Sequence, residues 1–180
     1  MPEYANEISE QHKDGKHDMT HQIQTTHVGS LPRSKAVTDL VFAAEREEQI
    51  DPVEFDQVVG EAVEETVRNQ VEAGVSLVSD GEMSKISYAT YIKDRITGFD
   101  GDSERQPPAD LEDVPGFLER QANTGGTPTY RRPKCIGEIS VKSMQPLEDD
   151  LSRFQAAIDN HNPSGAFMNA ASPGVIALFQ

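Results

Sequence analysis

Residues 51–78 constrain this chain more than any other stretch, because both ends of a helix and the strand after it are signalled within them. Asp51 is suited to the N-cap, Pro52 to the first helical position, and Glu54 completes an Asp-x-x-Glu capping box. Phe55, Val58, Val59, Ala62, Val63, Val67 and Val71 then recur at helical spacing along one face. Gly74 supplies the stop, since glycine adopts the left-handed cap at little cost. Val75 to Val78 follows at once as a β-branched run. A helix that feeds a strand through so short a connection is the grammar of a parallel sheet, so the expected fold class is α/β.

The same grammar extends on either side. Gln22 to Val28 reads as a first strand, broken by Gly29-Ser30-Leu31-Pro32. Ser34 is placed to cap a helix reaching about Gln49, with Val37, Leu40, Val41 and Ala44 on one face. Glu82 to Ile96 reads as partly helical, with Tyr88, Tyr91 and Ile92 apolar. Residues 98–133 are punctuated by Gly and Pro, with one short helix around Leu111, Phe117 and Leu118; a connection this long suggests a lid or binding loop. Lys134 to Val141 reads as a third strand. Glu148 to Asn160 reads as a crossover helix with Leu151, Phe154, Ala157 and Ile158 inward. Ala166 to Ala170 reads as a fourth strand, ended by Ser172-Pro173-Gly174, and Val175 to Phe179 begins a unit that is then cut off. Residues 1–21, polar and without period, read as a disordered tail whose His12, His17 and His21 are solvated.

Charge narrows the partners. Sixteen Lys and Arg face 31 Asp and Glu, a net charge of -15 in 180 residues. So acidic a surface argues against nucleic acid or an anionic membrane. No apolar run approaches the roughly 20 residues of a membrane span, and no signal peptide is evident. The single Cys135 precludes an intramolecular disulfide and any Cys-rich zinc site from this chain alone, so a cytoplasmic setting is expected.

Polar residues at the carboxyl ends of parallel strands are how α/β barrels build active sites. The candidates are His27, Gly29 and Ser30 after the first strand, and Asp80 and Glu82 after the second. Glu138 and Ser140 belong to the third strand, and Asn169 and Ser172 to the fourth. The Gly29 and Ser30 amides suit a carboxylate, and Glu82 suits an ammonium, the pair of contacts an amino acid needs. Plainer readings stand beside these. Gly29-Ser30-Leu31-Pro32 and Asp80-Gly81 serve equally as turns. Glu82 serves as a helix cap, His27 as a satisfied structural histidine, Glu138 as an ion-pair partner, and Cys135 as a small buried hydrophobe. The chain carries no Gly-x-Ser-x-Gly elbow, phosphate loop or Gly-x-Gly-x-x-Gly.

Four segments together resemble the catalytic barrel of cobalamin-independent methionine synthases. Thr25-Thr26-His27-Val28-Gly29-Ser30-Leu31-Pro32-Arg33 is similar to that barrel's opening strand, and Asp80-Gly81-Glu82 to the turn after its second. Ile136-Gly137-Glu138-Ile139 is similar to its third strand, and Ala170-Ala171-Ser172-Pro173-Gly174 to the end of its fourth. The resemblance covers about residues 22–180 and is nearest to the shorter single-barrel members. It implies a (β/α)8 TIM barrel of which this chain holds about the first four βα units, with residues 98–133 as a loop-rich insertion.

The resemblance further implies zinc-dependent methyl transfer from 5-methyltetrahydropteroyltriglutamate, a folate-type donor, to homocysteine in methionine biosynthesis. Its substrate-binding positions fall on Val28, Gly29, Ser30 and Glu82, with Ser30 at the substrate carboxylate and Glu82 at the amine. The family's zinc ligands, a His-x-Cys pair, a Glu and a later Cys, have no counterpart here. The second acidic contact to the amine is also absent, and Tyr130-Arg131-Arg132 does not match the folate-contacting Arg-Cys segment. The chain alone is therefore expected to be an inactive N-terminal half. Two alternatives keep the fold: a zinc-dependent alkyl transferase acting on another thiol, of the epoxide-to-thiol type, and a non-catalytic half-barrel that binds an amino acid.

Overall fold

A computed structural model describes residues 23–87, 91–101, 113–114, 116–117, 120 and 133–178. The tail expected over 1–21 lies outside them, as do Tyr88, Leu111, Leu118 and Tyr130-Arg131-Arg132. The elements run α1 (Lys35–Glu45), α2 (Pro52–Glu72), β1 (Leu77–Val78), α3 (Ile92–Arg95), β2 (Phe99–Asp100), β3 (Lys134–Cys135), α4 (Gln145–His161), β4 (Gly165–Ala166) and α5 (Pro173–Leu178). Among the described residues no helix is long and apolar enough to cross a membrane.

The ends of α2 follow from its local sequence. Asp51 accepts from the Val53 amide at 2.9 Å, Pro52 occupies the first turn, and Glu54 places its charge near the helix N-terminus. At the other end Gly74, with φ +78°, closes a Schellman motif: its amide donates to Val71, and the Val75 amide donates to Gln70. That reversal aims the chain into β1. The first helix is capped as its sequence indicates, with Ser34 accepting from the Val37 amide, but it ends at Glu45 rather than near Gln49.

The core forms where α2 meets α4. Val59, Val63 and Val67 pack with Phe154 and Ala157, and Val78 and Met83 close the cluster from the sheet side. The two helices run parallel, because their cross-links ascend together. Arg153 donates to Asp56 at 2.8 Å, while Asn160 and His161 bond Glu64 at 3.2 and 2.7 Å. Parallel neighbours are what two successive crossovers on one face of a parallel sheet produce. The buried face of α2 also holds Thr66 and Gln70. Gln70 replaces a strand neighbour: its side-chain amide donates to the Ser79 carbonyl at 2.8 Å and accepts from the Ser79 N–H at 3.0 Å. Both backbone groups of a buried residue are thereby satisfied.

The parallel ladder joins Thr26 to Leu77, and β1 to β4. This corrects the expected strand count. The segment expected as the fourth strand lies directly beside the second. The segment expected as the third, Lys134 to Val141, pairs antiparallel instead: β3 with β2, and Val141 with Ile96. Among the described residues the parallel ladder therefore has three members rather than four. The physical reason is the direction of entry: a parallel partner must enter the sheet from the same end, and β3 enters beside β2 from the opposite one. Gly98 permits this close pairing, since its φ is +84° and a Cβ there would lie 2.7 Å from the Glu138 carbonyl oxygen. Two smaller corrections follow. Cys135 is exposed, because its two-residue ladder leaves one face uncovered. Leu151, expected inward, is 49% exposed, because the α2 contact takes the stripe through Phe154 and Ala157.

Candidate functional site

Three strand ends converge on Glu82. Beyond β1, Ser79 is held by Gln70, and Asp80 accepts from the Glu82 amide at 3.2 Å. Gly81 and Glu82 both take left-handed backbone, φ +62° and +57°. Glycine is required at the first, where a Cβ would lie 2.8 Å from the Thr66 methyl carbon. At Glu82 the same conformation is uncommon for a side-chain-bearing residue and is held by its surroundings. The loop after the first strand supplies much of that hold. The Leu31 amide donates to the Gly81 carbonyl at 3.0 Å, and Arg33 Nη2 donates to the Glu82 carbonyl at 2.7 Å and to that of Lys85.

The Glu82 residue is only 5% exposed. Ser30 Oγ donates to Oε2 at 2.6 Å, and Asn169 Nδ2, past the end of β4, donates to Oε1 at 3.4 Å. Both donors are neutral. Among the described residues no Lys or Arg forms an ion pair with this carboxylate. Burial of an anion is costly unless it is paired and hydrogen-bonded, so the arrangement favours a cation brought by a ligand.

A second polar cluster lies behind the turn and is internally neutralised. Lys85, 4% exposed, sits 3.0 Å from Asp80 and 3.9 Å from Asp150. Arg95 reaches Asp150 at 3.1 Å and stacks on Tyr91 at 3.6 Å from the ring centre, and the Tyr91 hydroxyl donates to the same carboxylate. Arg153 completes the set at 3.3 Å. Burial pushes the Asp150 carboxyl above its ordinary range, against Lys85, a Ser84 hydrogen bond, Arg95 and Arg153. Burial likewise lowers Arg33, with Glu82 and Asp80 opposing it, and lowers Arg95, with Asp150 opposing it. A cavity of about 390 Å³ opens beside the cluster, sharing Lys85 and Asn169 and walled by Leu147, Leu151 and Met168.

The Asp150 shift carries a sign for stability. A carboxyl whose folded pKa is raised contributes stability below its ordinary value, near 3.8, and loses it as pH rises through the raised one. Asp150→Asn is therefore expected to cost less stability near pH 7 than near pH 4, measured by urea unfolding at both. A cost that grows with pH would contradict the direction.

Of the residues expected at the site, Ser30, Asp80, Glu82 and Asn169 are brought together. Gly29 begins the loop with φ +99°. Val28 is 67% exposed, which leaves its backbone as the part suited to a ligand. His27 was expected to be satisfied, but its Nε2 is buried with no hydrogen-bond partner among the described residues. Glu138 and Ser140 lie elsewhere, beside the antiparallel pair, where Thr97 bonds the Glu138 carbonyl and the Ser140 hydroxyl. Ser172 accepts from the Val175 amide and caps α5. Sequence reasoning missed Arg33, Lys85, Arg95 and Asp150. A signal existed for Asp150 alone: it shares helical phase with Phe154 and Ala157, so a buried face was predictable for it.

No family model matches the chain. A methionine synthase of Sulfolobus acidocaldarius is 29% identical to it over 127 residues, 71% of this chain and 32% of that protein. The chain thus spans about a third of the length of the relative it matches, and what it shares with that protein is a distant, methionine-synthase-like relationship.

Proposed function

We propose that this chain carries the amino-acid-binding part of a methionine-synthase-type methyltransferase site, built on the opening units of a TIM barrel. The observation that carries the reading is Glu82: a buried carboxylate hydrogen-bonded by the neutral donors Ser30 and Asn169 and in no direct ion pair among the described residues. A substrate ammonium completes it. The Gly29 and Ser30 amides take the substrate carboxylate, because the Ser30 hydroxyl is already given to Glu82. With both ends of the amino acid held, the side-chain thiol of homocysteine projects toward the methyl donor, for which a folate-type molecule is the proposed class.

Zinc in this chemistry lowers the pKa of the acceptor thiol. The described residues do not fit the ion. Among the described residues no three His, Cys, Asp or Glu side chains are placed to hold one, and Cys135 lies exposed on the antiparallel pair. Its ligands are proposed to belong to another part of the complete site.

An acceptor without an ammonium, as an epoxide-to-thiol transferase would use, leaves Glu82 buried without a cation, so the geometry favours an amino-acid thiol. The test is calorimetric titration of L-homocysteine into the 180-residue chain and into Glu82→Gln. The variant is expected to bind about 10–100-fold more weakly, the worth of a hydrogen bond between charged groups. Equal affinities in the two would overturn the reading.

A further inference from the structure

We propose that Arg33 is a positioning residue for Glu82, acting through the backbone of the Asp80–Lys85 turn; this deepens, and rests on, the reading that Glu82 receives a substrate ammonium. Glu82 holds φ +57°, a region that an L side chain leaves unless its surroundings oppose the change. One terminal nitrogen of Arg33 donates to the carbonyls of Glu82 and Lys85 together. Those carbonyls lie three residues apart in sequence, and the Lys85 amide itself donates to the Glu82 carbonyl at 3.1 Å. A single cation thus pins both ends of one tight turn. If Glu82 relaxed toward ordinary helical backbone, its carbonyl would swing away from the guanidinium and its side chain away from Ser30 and Asn169.

The chemistry of the contact is selective. The guanidinium is half-buried, and the hydrogen bonds it makes to this turn go to peptide oxygens rather than to the Glu82 carboxylate. Arg33 therefore fixes the direction of the carboxylate without hydrogen-bonding it; its charge acts on Glu82 only through space, which leaves direct pairing with the carboxylate to a ligand. An arginine that paired with the carboxylate directly would block the same site. Ser30, Leu31 and Arg33 all come from one loop and reach Glu82, Gly81 and Lys85, so the loop grips the turn as a unit. Lysine offers one compact ammonium on a flexible stem and replaces that grip only in part.

The test uses Arg33→Gln and Arg33→Lys in the 180-residue chain, with two readouts. The first is the backbone state of Glu82, from its amide, α-carbon and β-carbon shifts by nuclear magnetic resonance. The second is amine discrimination, the ratio of dissociation constants for 4-sulfanylbutanoate and L-homocysteine. Arg33→Gln is expected to move the Glu82 shifts out of the left-handed range and to lower the ratio about tenfold, with Arg33→Lys intermediate in both. Left-handed shifts retained in Arg33→Gln, or a ratio unchanged while the melting temperature falls, would overturn the proposal and leave Arg33 a structural residue. If the wild-type chain fails to bind homocysteine, the reading of Glu82 as an ammonium site fails, and the shifts still decide the role of Arg33. If Arg33→Gln does not fold, Arg33→Lys supplies both readouts, and wild-type values in it count against the proposal.

Discussion

Replacing Lys85 by Met is expected to destabilise the fold by about 3–5 kcal/mol, the cost of leaving a buried charge without its partner. Lys85 is 4% exposed and lies between Asp80 at 3.0 Å and Asp150 at 3.9 Å. Asp150 keeps Arg95 and Arg153 after the change, but Asp80 loses its one ion pair among the described residues. The penalty therefore falls on Asp80, whose other oxygen shapes the Glu82 turn. Adding Asp80→Asn removes the stranded charge, so Asp80→Asn/Lys85→Met is expected to be more stable than Lys85→Met alone. Urea unfolding of the wild type, both single variants and the double variant checks this. A double variant as unstable as the sum of the single changes would show that the pair is not coupled.

Phe154→Ala is expected to cost about as much, roughly 3–5 kcal/mol, for a different reason. Phe154 is 5% exposed and fills the space between α4 and the Val59, Val63 and Val67 row of α2. The facing row on α2 is valine, whose short, branched side chains do not reach into the gap. Leu151, one turn earlier on α4, is 49% exposed, so Leu151→Ala is expected to cost under about 1 kcal/mol. Thermal unfolding of both variants separates them: roughly 2–4 °C accompanies each kcal/mol in a domain of this size. Similar melting temperatures for the two would contradict the packing described for α4.

The contrast between Leu151 and Phe154 shows what was legible in the sequence. The bounds of α2 were readable because Asp51, Pro52 and Gly74 act on their own immediate backbone. The inward stripe of α4 was readable only to within a turn. Leu151 and Phe154 fit one helical face equally well, and the choice belongs to the partner helix. Strand order was less accessible still. Lys134 to Val141 looks like any short strand, and its antiparallel pairing depends on Gly98, far away in sequence, lying beneath the Glu138 carbonyl. Ser30 and Glu82 were legible as site residues because they sit in punctuated turns at strand ends. Lys85 and Arg33 were not, since a charged residue in a polar segment reads as solvated. Their burial is set by contacts with α4 and with a turn about fifty residues away, which no local pattern encodes.

Glu82 is the centre of this arrangement: Ser30 and Asn169 hydrogen-bond its carboxylate, and Arg33 holds the backbone of its turn. The most direct measurement compares the affinity of the 180-residue chain for L-homocysteine with that for 4-sulfanylbutanoate, which keeps the thiol and carboxylate and lacks the amine. Binding of homocysteine at least about tenfold tighter is the expected result. Equal affinity for the two, or tighter binding of the desamino thiol, would contradict an ammonium site at Glu82.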